Sequence, residues 1–549
     1  MSTISFWKRR RGAGPWRSLL LLVGLAIALT GCAARQTTAP VPAAALPLSE
    51  EIRALWVDAF HAGIRTGAEA EQLVADAKGA NFNTLIVQVR RRGDALYTKS
   101  FEPPLDDPAY DPAFDALDSI IEVAHREGLE VHAWVNAMPV WRDATPPKDP
   151  RHVFNQHGPG KTGEEHWLTL SPKGEDRFPV GYFLDPGHPG AAAHVAEVYL
   201  NIVRHYKVDG IHFDYIRYPE TEERMPRGSG VGYNATALAR FRAATGRTDT
   251  PLPGDEQFTV WRRHQVTQLV RRVYIEAKAI NPRIKVSAAT IAWGKPPTNE
   301  KTFLDASPGQ RIFQDWHGLM KEGLLDIAFP MNYARESDLT VRGWFDGWIA
   351  WGKKHKHGRQ LAVGIGAYLN PPKSILAQVS RVRAAQGKHR ADGMSFFSYA
   401  SPAARPTPGA AQSAPAPAPA VPPLPVSFLR EGILGAGTEP AVTPAFDKPA
   451  AVPRMSWIEQ PTTGWVAGFA KDSAGKPLDG AQVKVKKSGL FSRTRTTLAD
   501  GNGYFGFTNL KPGRYRVWAE RRSGPAREKS GVEIEVTAGK VARAELQLR

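Results

Sequence analysis

The chain of 549 residues contains a single cysteine, Cys32, and comparatively few acidic side chains. One cysteine cannot form an internal disulfide, so every domain must be stable without one. Against 54 Asp and Glu stand 71 Lys and Arg, a formal net charge of +17. Long apolar runs are also scarce: the best, residues 19–29, is too short to be a permanent membrane span.

Several catalytic signatures are missing as well. No Gly-x-Ser-x-Gly elbow occurs, which argues against serine hydrolase chemistry. No glycine-rich phosphate loop follows the first predicted strand. The chain has 15 histidines, but none is spaced like a metal-ligand set; those at 152, 157, 166 and 188 are expected to be solvated loop residues. The sequence therefore predicts neither a cofactor nor a metal.

The N-terminus has the pattern of an export signal. Basic residues at positions 8–11 and 17 precede the apolar run, and Leu29-Thr30-Gly31-Cys32 resembles a bacterial lipobox. We therefore expect residues 1–31 to be a lipoprotein signal peptide, Cys32 to carry the lipid and residues 32–49 to be a tether. Ala33 follows the cysteine instead of aspartate. By resemblance to lipoprotein sorting, this favours the outer membrane, facing the periplasm, in a bacterium with two membranes.

The positive charge is concentrated in two places. The first 32 residues hold five basic residues and no acid, leaving +12, and residues 456–549 hold 17 Lys and Arg against 9 Asp and Glu. Nucleic acid is a poor partner for an exported lipoprotein, because it lies in another compartment. Anionic envelope polymers or lipid headgroups fit the charge better, and a surface that is merely basic remains the alternative.

The central region alternates short apolar strands with amphipathic helices, which is typical of parallel α/β folds. Eight strands are predicted at 52–58, 83–90, 129–135, 209–214, 284–291, 325–331, 361–367 and 392–399. Helices are predicted at 68–79, 114–127, 257–280 and 376–386, among others. Eight such units predict a (β/α)₈ TIM barrel over residues 50–401, with an open doubly wound sheet as the alternative. A long insertion at 138–188 is expected to shape the cleft.

The remainder of the chain has a different character. Residues 402–425 are rich in proline and alanine and are predicted to be a semi-rigid linker. From about Trp465 the pattern changes to period-two strands separated by glycine turns. We therefore expect a small all-β, immunoglobulin-like sandwich over residues 458–549.

A polar cluster marks the predicted fourth strand. Ile211 and Phe213 are its apolar positions, and a proline ends it. His212, Asp214 and Arg217 are therefore expected together at its carboxyl end, where parallel barrels build active sites. An imidazole and a guanidinium beside Asp214 should favour its charged form, which suits a nucleophile or an electrostatic stabiliser.

Eight segments together resemble the glycosyl-hydrolase-like 10 family of bacterial envelope proteins. They are RALWV at 53–57, NTLIVQVRRRGDALY at 83–97, HAWVN at 132–136, LDPG at 184–187, DGIHFDYIRYP at 209–219, DIAFPMNY at 326–333, GMSFFSY at 393–399 and AVPRMSW at 451–457. The last implies that residues 426–457 are a segment associated with the barrel. Residues 503–515 resemble carboxypeptidase-regulatory-like modules of the immunoglobulin type.

The resemblance implies a TIM-barrel glycosidase related to the alpha-amylase-like barrels, with peptidoglycan glycan as the substrate class of some members. Such barrels place an aspartate after strand four, which Asp214 matches, and a glutamate after strand five. Here strand five ends in Thr290-Ile291-Ala292-Trp293 and offers no carboxylate. A second carboxyl group is normally required, so it must come from another strand end.

Asp58 and Asp185 are the candidates for that second group, with turn or capping chemistry as the alternative for both, and Glu336 is a further possibility. Gln88 and Arg90 are expected on one side of strand two, facing the mouth, although Arg90 could instead form a buried ion pair. The predicted substrate-binding residues are Gln88, Arg90, His132, Trp134, Asn136, His212, Arg217, Asn332, Tyr333 and Tyr399. Their aromatic members could equally be core residues.

Taken together, the sequence predicts a lipid-anchored glycosidase of the bacterial cell envelope that acts on peptidoglycan or a related polysaccharide. Two other hypotheses remain open. The barrel could bind envelope glycan without cleaving it, because strand five lacks an acid. Alternatively, the basic C-terminal module could have the main role and dock the protein on an anionic polymer.

Overall fold

Eight parallel strands form a closed barrel in the computed structural model, which describes residues 49–221, 228–385, 389–402, 426–431, 444–489, 492–520 and 529–548. In chain order they are β1 (Ile52–Val57), β2 (Thr84–Arg90), β3 (Glu130–Asn136), β4 (Gly210–Asp214), β5 (Lys285–Ile291), β6 (Ile327–Met331), β7 (Gln360–Gly366) and β8 (Gly393–Phe397). Each strand pairs with its neighbours in sequence, and β8 closes onto β1. The predicted TIM barrel is confirmed.

The outer layer consists of helices that follow the strands. The longer ones are α1 (Gly67–Gly79), α2 (Ala116–Arg126), α3 (Pro189–His205), α4 (Ala235–Thr245), α5 (Glu256–Ile280), α6 (Trp316–Glu322), α7 (Leu339–Lys354) and α8 (Pro372–Arg383). Short helical turns lie at Val153–His157, Gly163–Glu165, Glu300–Leu304, Ser307–Gln310, Ala367–Leu369, Phe428–Glu431 and Ser456–Glu459. The helices predicted at 68–79, 114–127, 257–280 and 376–386 correspond to α1, α2, α5 and α8.

Two apolar layers result from the alternation of side chains along each strand. Leu55 and Val57 belong to the core between strands and helices, whereas Ala54 and Trp56 belong to the separate cluster inside the barrel. Met455 joins the inner cluster. Trp457 donates its indole N–H to Asp326 just before β6, at 2.8 Å. The segment around Met455 thus packs against the amino-terminal end of the barrel.

The insertion after β3 carries a small antiparallel sheet of three strands, Pro139–Trp141, Arg177–Phe178 and Gly181–Phe183. A further two-stranded pairing joins Ser49–Glu50 to Ala450–Ala451 in parallel. This pairing directly precedes β1 and so lies at the amino-terminal end of the barrel. The insertion follows β3 and so borders the opposite end, the mouth formed by the carboxyl ends of the strands.

The C-terminal module is a sandwich of two sheets around its own apolar core. Its strands are β9 (Gly464–Lys471), β10 (Gln482–Lys487), β11 (Arg495–Leu498), β12 (Tyr504–Leu510), β13 (Gly513–Glu520), β14 (Lys529–Val536), β15 (Val541–Arg543) and β16 (Leu546–Gln547). One sheet has the order β12-β9-β15, with β16 also on β9, and the other β11-β10-β13-β14. The predicted small all-β domain is confirmed.

The sandwich is docked on the barrel through α5. Trp465, Ala467 and Tyr504, on the outward face of its first sheet, belong to the same apolar core as the barrel helices. Two bidentate ion pairs flank this contact: Arg543 binds Glu276 at 2.6 and 2.8 Å, and Arg240 binds Asp479 at 2.6 and 2.9 Å. A module expected to lie behind a linker is therefore packed against the helix that precedes β5.

The predicted signal peptide, Cys32 and residues 32–48 of the tether lie outside the described residues, as do residues 403–425 of the predicted linker. Within the described part of the chain, no helix is long and apolar enough to cross a membrane.

Candidate active site

Asp214 lies at the carboxyl end of β4 and faces the mouth of the barrel. Ile211 and Phe213 are buried between strand and helices, so the alternation turns Asp214 inward. Its carboxylate accepts hydrogen bonds from the backbone N–H of Tyr215 at 2.6 Å and from the indole N–H of Trp134 at 3.2 Å. The predicted strand-end carboxylate is thus held in a fixed orientation.

The electrostatic environment of Asp214 differs from the expectation that its charged form would be favoured. Burial raises the pKa of Asp214 above its ordinary value, and the opposing charge of Arg217 offsets this only in part. His212 supplies no positive charge, because burial holds its pKa well below the ordinary value. A carboxyl group with a raised pKa suits proton donation to a leaving group.

Trp134 and Asn136, both predicted to bind substrate, lie beside Asp214 on the next strand. Trp134 shares its indole N–H between Asp214 and the side-chain oxygen of Asn136, which lies 3.0 Å away. Asn136 in turn donates to the carbonyl of Arg91 at 3.1 Å. These contacts fix both side chains on the inward face of β3.

Asp58 follows β1 at the same mouth. Its carboxylate accepts hydrogen bonds from the backbone N–H of Phe60 at 3.0 Å and from the hydroxyl of Ser398 at 3.1 Å, and His61 lies 2.7 Å away. The ring of Trp134 lies 6.3 Å from that of Phe397, the neighbour of Ser398. Asp58 and Asp214 therefore both lie at the carboxyl strand ends of the barrel, on either side of the Phe397 and Trp134 rings.

Strand two does not place Gln88 and Arg90 on the same face, contrary to the prediction. The register of β2 against β3 shifts between them, so Gln88 pairs with Trp134 while Arg90 pairs with the outward-facing Val135. A β-bulge of this kind reverses the alternation. The side-chain oxygen of Gln88 accepts a hydrogen bond from the backbone N–H of Ala59 at 3.0 Å and so holds the loop that follows β1.

The guanidinium of Arg90 is fully buried on the helix side of β2. It forms a bidentate ion pair with Glu102 at 2.6 and 2.7 Å and also donates to the carbonyls of Asn136 and Ala137. His194 lies 2.8 Å from the same carboxylate. The structure therefore shows the buried ion pair that the sequence left open for Arg90.

His132 and His212, both predicted to bind substrate, lie below the mouth, inside the barrel. The hydroxyl of Ser287 lies 2.9 Å from Nδ1 of His212 and 3.3 Å from Nδ1 of His132. Trp56 donates its indole N–H to Nε2 of His212 at 3.3 Å. A side chain at Gly210 would come within 2.7 Å of the His132 ring, which explains the glycine. Neither imidazole has surface exposed to a substrate.

A buried neutral imidazole makes stability dependent on pH. Because the folded protein resists protonating His212 while the unfolded chain does not, stability is lost as the pH falls below the ordinary histidine pKa. We expect a slope of up to about 1.4 kcal/mol per pH unit from this group. When the free energy of unfolding in urea is measured between pH 7.5 and 5, it should depend less steeply on pH in His212→Gln than in the parent. The control His205→Gln, on the exposed end of α3, should have the same pH dependence as the parent. Equal slopes in all three proteins would contradict the assignment.

Asp185 and Glu336, the other acids considered for catalysis, form hydrogen bonds and ion pairs that stabilise the surrounding loops. Asp185 is fully buried and accepts hydrogen bonds from the N–H of Gly187 at 2.7 Å and the hydroxyl of Tyr218 at 3.0 Å. Burial raises its pKa. Glu336 is bound by Arg381 at 2.5 Å. These contacts are those of a buried turn and a loop anchor.

The remaining predicted residues divide between the mouth and the scaffold. Tyr333 follows β6, and its ring packs 5.8 Å from that of Phe397 at the end of β8, so it lies at the mouth. Burial raises the pKa of Tyr333 well above its ordinary value, and the charge of Asp214 adds to this. Tyr399 donates to Asp76 on α1 at 2.7 Å, and Asn332 donates to the carbonyl of Phe345 at 2.9 Å. These last two side chains hold strand ends to helices.

Arg217 lies three residues beyond Asp214. Its guanidinium carbon is 4.3 Å from the centre of the Tyr215 ring and 5.0 Å from that of Trp293, which follows β5. Strand five thus contributes an aromatic ring where a carboxylate was lacking. No cluster of three or more potential metal ligands occurs among the described residues.

Sequence reasoning missed several residues at the mouth. Ser398 and His61 contact Asp58, and the half-exposed rings of Phe60 and Tyr368 border the opening. Phe60 also lies 5.1 and 5.2 Å from the guanidinium carbons of Arg91 and Arg92. All four lie within about four residues of the carboxyl end of a barrel strand, so polar and aromatic residues after every strand are the sequence signal that points to them.

Comparison with known proteins places this geometry in a family. Residues 51–365 match the model of the glycosyl hydrolase-like 10 family. The chain belongs to the glycosyl hydrolase-like 10 family. Residues 466–549 match the carboxypeptidase regulatory-like domain. Both resemblances seen in the sequence are thereby confirmed.

Curated relatives of the glycosyl hydrolase-like 10 chain include glycosyl hydrolase DigH of Escherichia coli K12, 25% identical over 287 residues, or 48% of this chain and 58% of that protein. Glycosyl hydrolase YngK of Bacillus subtilis is 23% identical over 304 residues, covering 52% and 54%. The chain thus spans little more than half of each relative. Among solved structures, the PgaB (BpsB) glycoside hydrolase domain of Bordetella bronchiseptica has 14% identity and a TM-score of 0.45, covering 64% of this chain and 94% of that one.

Proposed function

We propose that this protein is a glycoside hydrolase that acts on the glycan strands of bacterial peptidoglycan, with Asp214 as the reacting carboxyl group. The observation that carries the proposal is the position of Asp214, inward at the carboxyl end of β4 and bound to Trp134. Membership of a glycosyl hydrolase-like family supports the reaction class.

The chemistry requires a proton donor and a second carboxylate. Asp214, with its raised pKa, serves as the donor to the glycosidic oxygen. Asp58 serves as the second carboxylate, since three donors converge on its oxygens and fix its orientation. Aromatic rings at the mouth, those of Tyr333, Tyr368 and Phe60, offer faces on which sugar rings stack.

The proposed setting is the bacterial envelope. The lipobox-like sequence that ends in Cys32 supports an anchor through a lipid on that cysteine, and we infer the periplasmic face of the outer membrane in bacteria that have one. Peptidoglycan is the polysaccharide within reach of such an anchor. Globomycin treatment of a host expressing the full chain should leave the signal peptide attached; a mature N-terminus unaffected by it would remove the lipid anchor from the proposal.

The direct test incubates purified residues 33–549 with intact and peptide-stripped peptidoglycan and identifies the soluble products by mass spectrometry. Release of oligosaccharides or muropeptides with new reducing ends would establish a glycosidase and identify the bond. If the protein sediments with the glycan but releases nothing, the barrel is a glycan-binding module, the alternative that the carboxylate-free end of β5 favours.

A further inference from the structure

Arg217 is a buried cation at the mouth, and one of its guanidinium nitrogens has no hydrogen-bond partner among the described residues. Only 3% of the residue is exposed, and this nitrogen, Nη1, is completely buried. The acid nearest to Nη1 within the described chain is Glu220, whose carboxylate lies 3.9 Å away, beyond hydrogen-bond distance, on a half-exposed side chain. A guanidinium has five N–H donors, and burying them unsatisfied costs free energy.

Two aromatic rings hold this guanidinium in place. It lies over the rings of Tyr215 and Trp293, which come from the ends of different barrel strands. Both rings are partly exposed, so the guanidinium lies in the wall of the mouth. A stacked guanidinium with an unsatisfied Nη1 is suited to binding the planar pair of oxygens of a carboxylate.

Arg217 differs from Arg90 and Arg91, two other arginines near the mouth. Arg90 is saturated by Glu102, and Arg91 lies 3.5 Å from Asp94. Arg217 lies three residues after Asp214 and close enough to lower the pKa of that carboxyl group against the effect of burial. An anion bound by Arg217 would therefore lie next to the bond that Asp214 protonates.

We propose that Arg217 is a specificity residue that binds a carboxylate carried by the sugar at the cleavage point, so that the enzyme selects acidic glycans. This rests on the proposed glycosidase function. The carboxylate could be part of a uronic acid ring or of an ether-linked lactyl group, as on muramic acid. Both present the same planar pair of oxygens to the guanidinium.

The test compares Arg217→Met and Arg217→Lys with the parent on two substrates, peptide-stripped peptidoglycan and the same glycan with its carboxylates amidated. On the native glycan we expect Arg217→Met to raise KM about 10- to 100-fold, as for loss of a charge-assisted hydrogen bond. Arg217→Lys should recover part of the loss. On the amidated glycan, parent and variants should have similar KM values. Arg126→Met, on exposed α2, is the matched control.

A structural role would give a different result. If Arg217→Met raises KM by the same factor on both glycans, or changes only the pH profile of kcat, then Arg217 acts on Asp214. The proposed carboxylate site is wrong in that case. Muramic acid and glucuronic acid as competitors distinguish the two sources: inhibition of the parent by one identifies it, and inhibition by neither contradicts the proposal.

Binding measured on the Asp214→Asn protein separates this inference from the proposed function. Carboxylate-dependent binding without turnover by the parent would leave the Arg217 site standing and reject the glycosidase. If the parent instead turns over native and amidated glycan with equal KM, the glycosidase function stands and the carboxylate site at Arg217 is wrong.

Discussion

Replacing Asp214 with asparagine should lower kcat about 10²- to 10⁴-fold while leaving the affinity for glycan nearly unchanged. The amide keeps the shape of the side chain and can still accept the indole hydrogen bond from Trp134, but it has no acidic proton to transfer to the leaving group. The rate is followed as reducing ends released from peptide-stripped peptidoglycan, and binding by sedimentation with the same material.

Two further variants make this result specific. Glu122→Gln, on the exposed face of α2, also removes a carboxylate but should retain the parent rate. Asp58→Asn should reduce turnover by a similar factor to Asp214→Asn if the two act as a pair. If the Asp214→Asn protein keeps the full rate, Asp214 does not donate the proton and the proposed mechanism is wrong.

Most of the barrel was predictable because its sequence signal is local. Each predicted strand overlaps an observed one with ends that differ by at most two residues, since buried parallel strands are short apolar runs between glycines and polar turns. Strand eight, predicted at 392–399 and observed at Gly393–Phe397, is found as readily as strand four. Closure of the barrel then follows from the number of units.

The site was only partly predictable, because side-chain direction depends on irregularities that a sequence pattern does not reveal. Asp214 and Trp134 lie at strand ends that alternate regularly, and they meet as expected. Arg90 was misplaced because a bulge in β2 turns it outward. His212 follows the alternation, yet it lies one layer too deep to reach substrate. Depth within a barrel is set by the register between strands.

Docking of the C-terminal module could not be predicted either. Ion pairs such as Arg543 with Glu276 join residues 267 positions apart, and no local pattern marks them. The outward face of β9 is apolar like its inward face, at Trp465 and Ala467, which is a hint that a second surface covers that sheet. A basic module fixed to the barrel would add its charge to the enzyme surface rather than move on a tether.

The largest effect on stability is expected from Glu102→Gln. Arg90 and Glu102 have 0% and 1% of their side chains exposed, so the variant leaves a buried guanidinium without its counter-ion. Removing one partner of such a pair costs about 3–5 kcal/mol of unfolding free energy. Burial alone would raise the pKa of Glu102, but the charge and hydrogen bonds of Arg90 hold it well below the ordinary value. The difference from the parent should therefore be present above the ordinary carboxyl pKa and shrink in more acidic solution.

The chain offers a matched control in Glu71→Gln. Glu71 also binds an arginine through both carboxylate oxygens, which accept hydrogen bonds from Nη2 of Arg126 at 2.7 and 2.8 Å, but more than half of each side chain is exposed. Water and salt screen that pair, so no measurable change in urea unfolding is expected. Residue types and distances are alike in the two pairs, and burial is their main difference, although Arg90 binds through two nitrogens and Arg126 through one. Equal stability of both variants would mean that the Arg90 guanidinium finds replacement acceptors in the carbonyls of Asn136 and Ala137, and that the ion pair is dispensable for the register of β2.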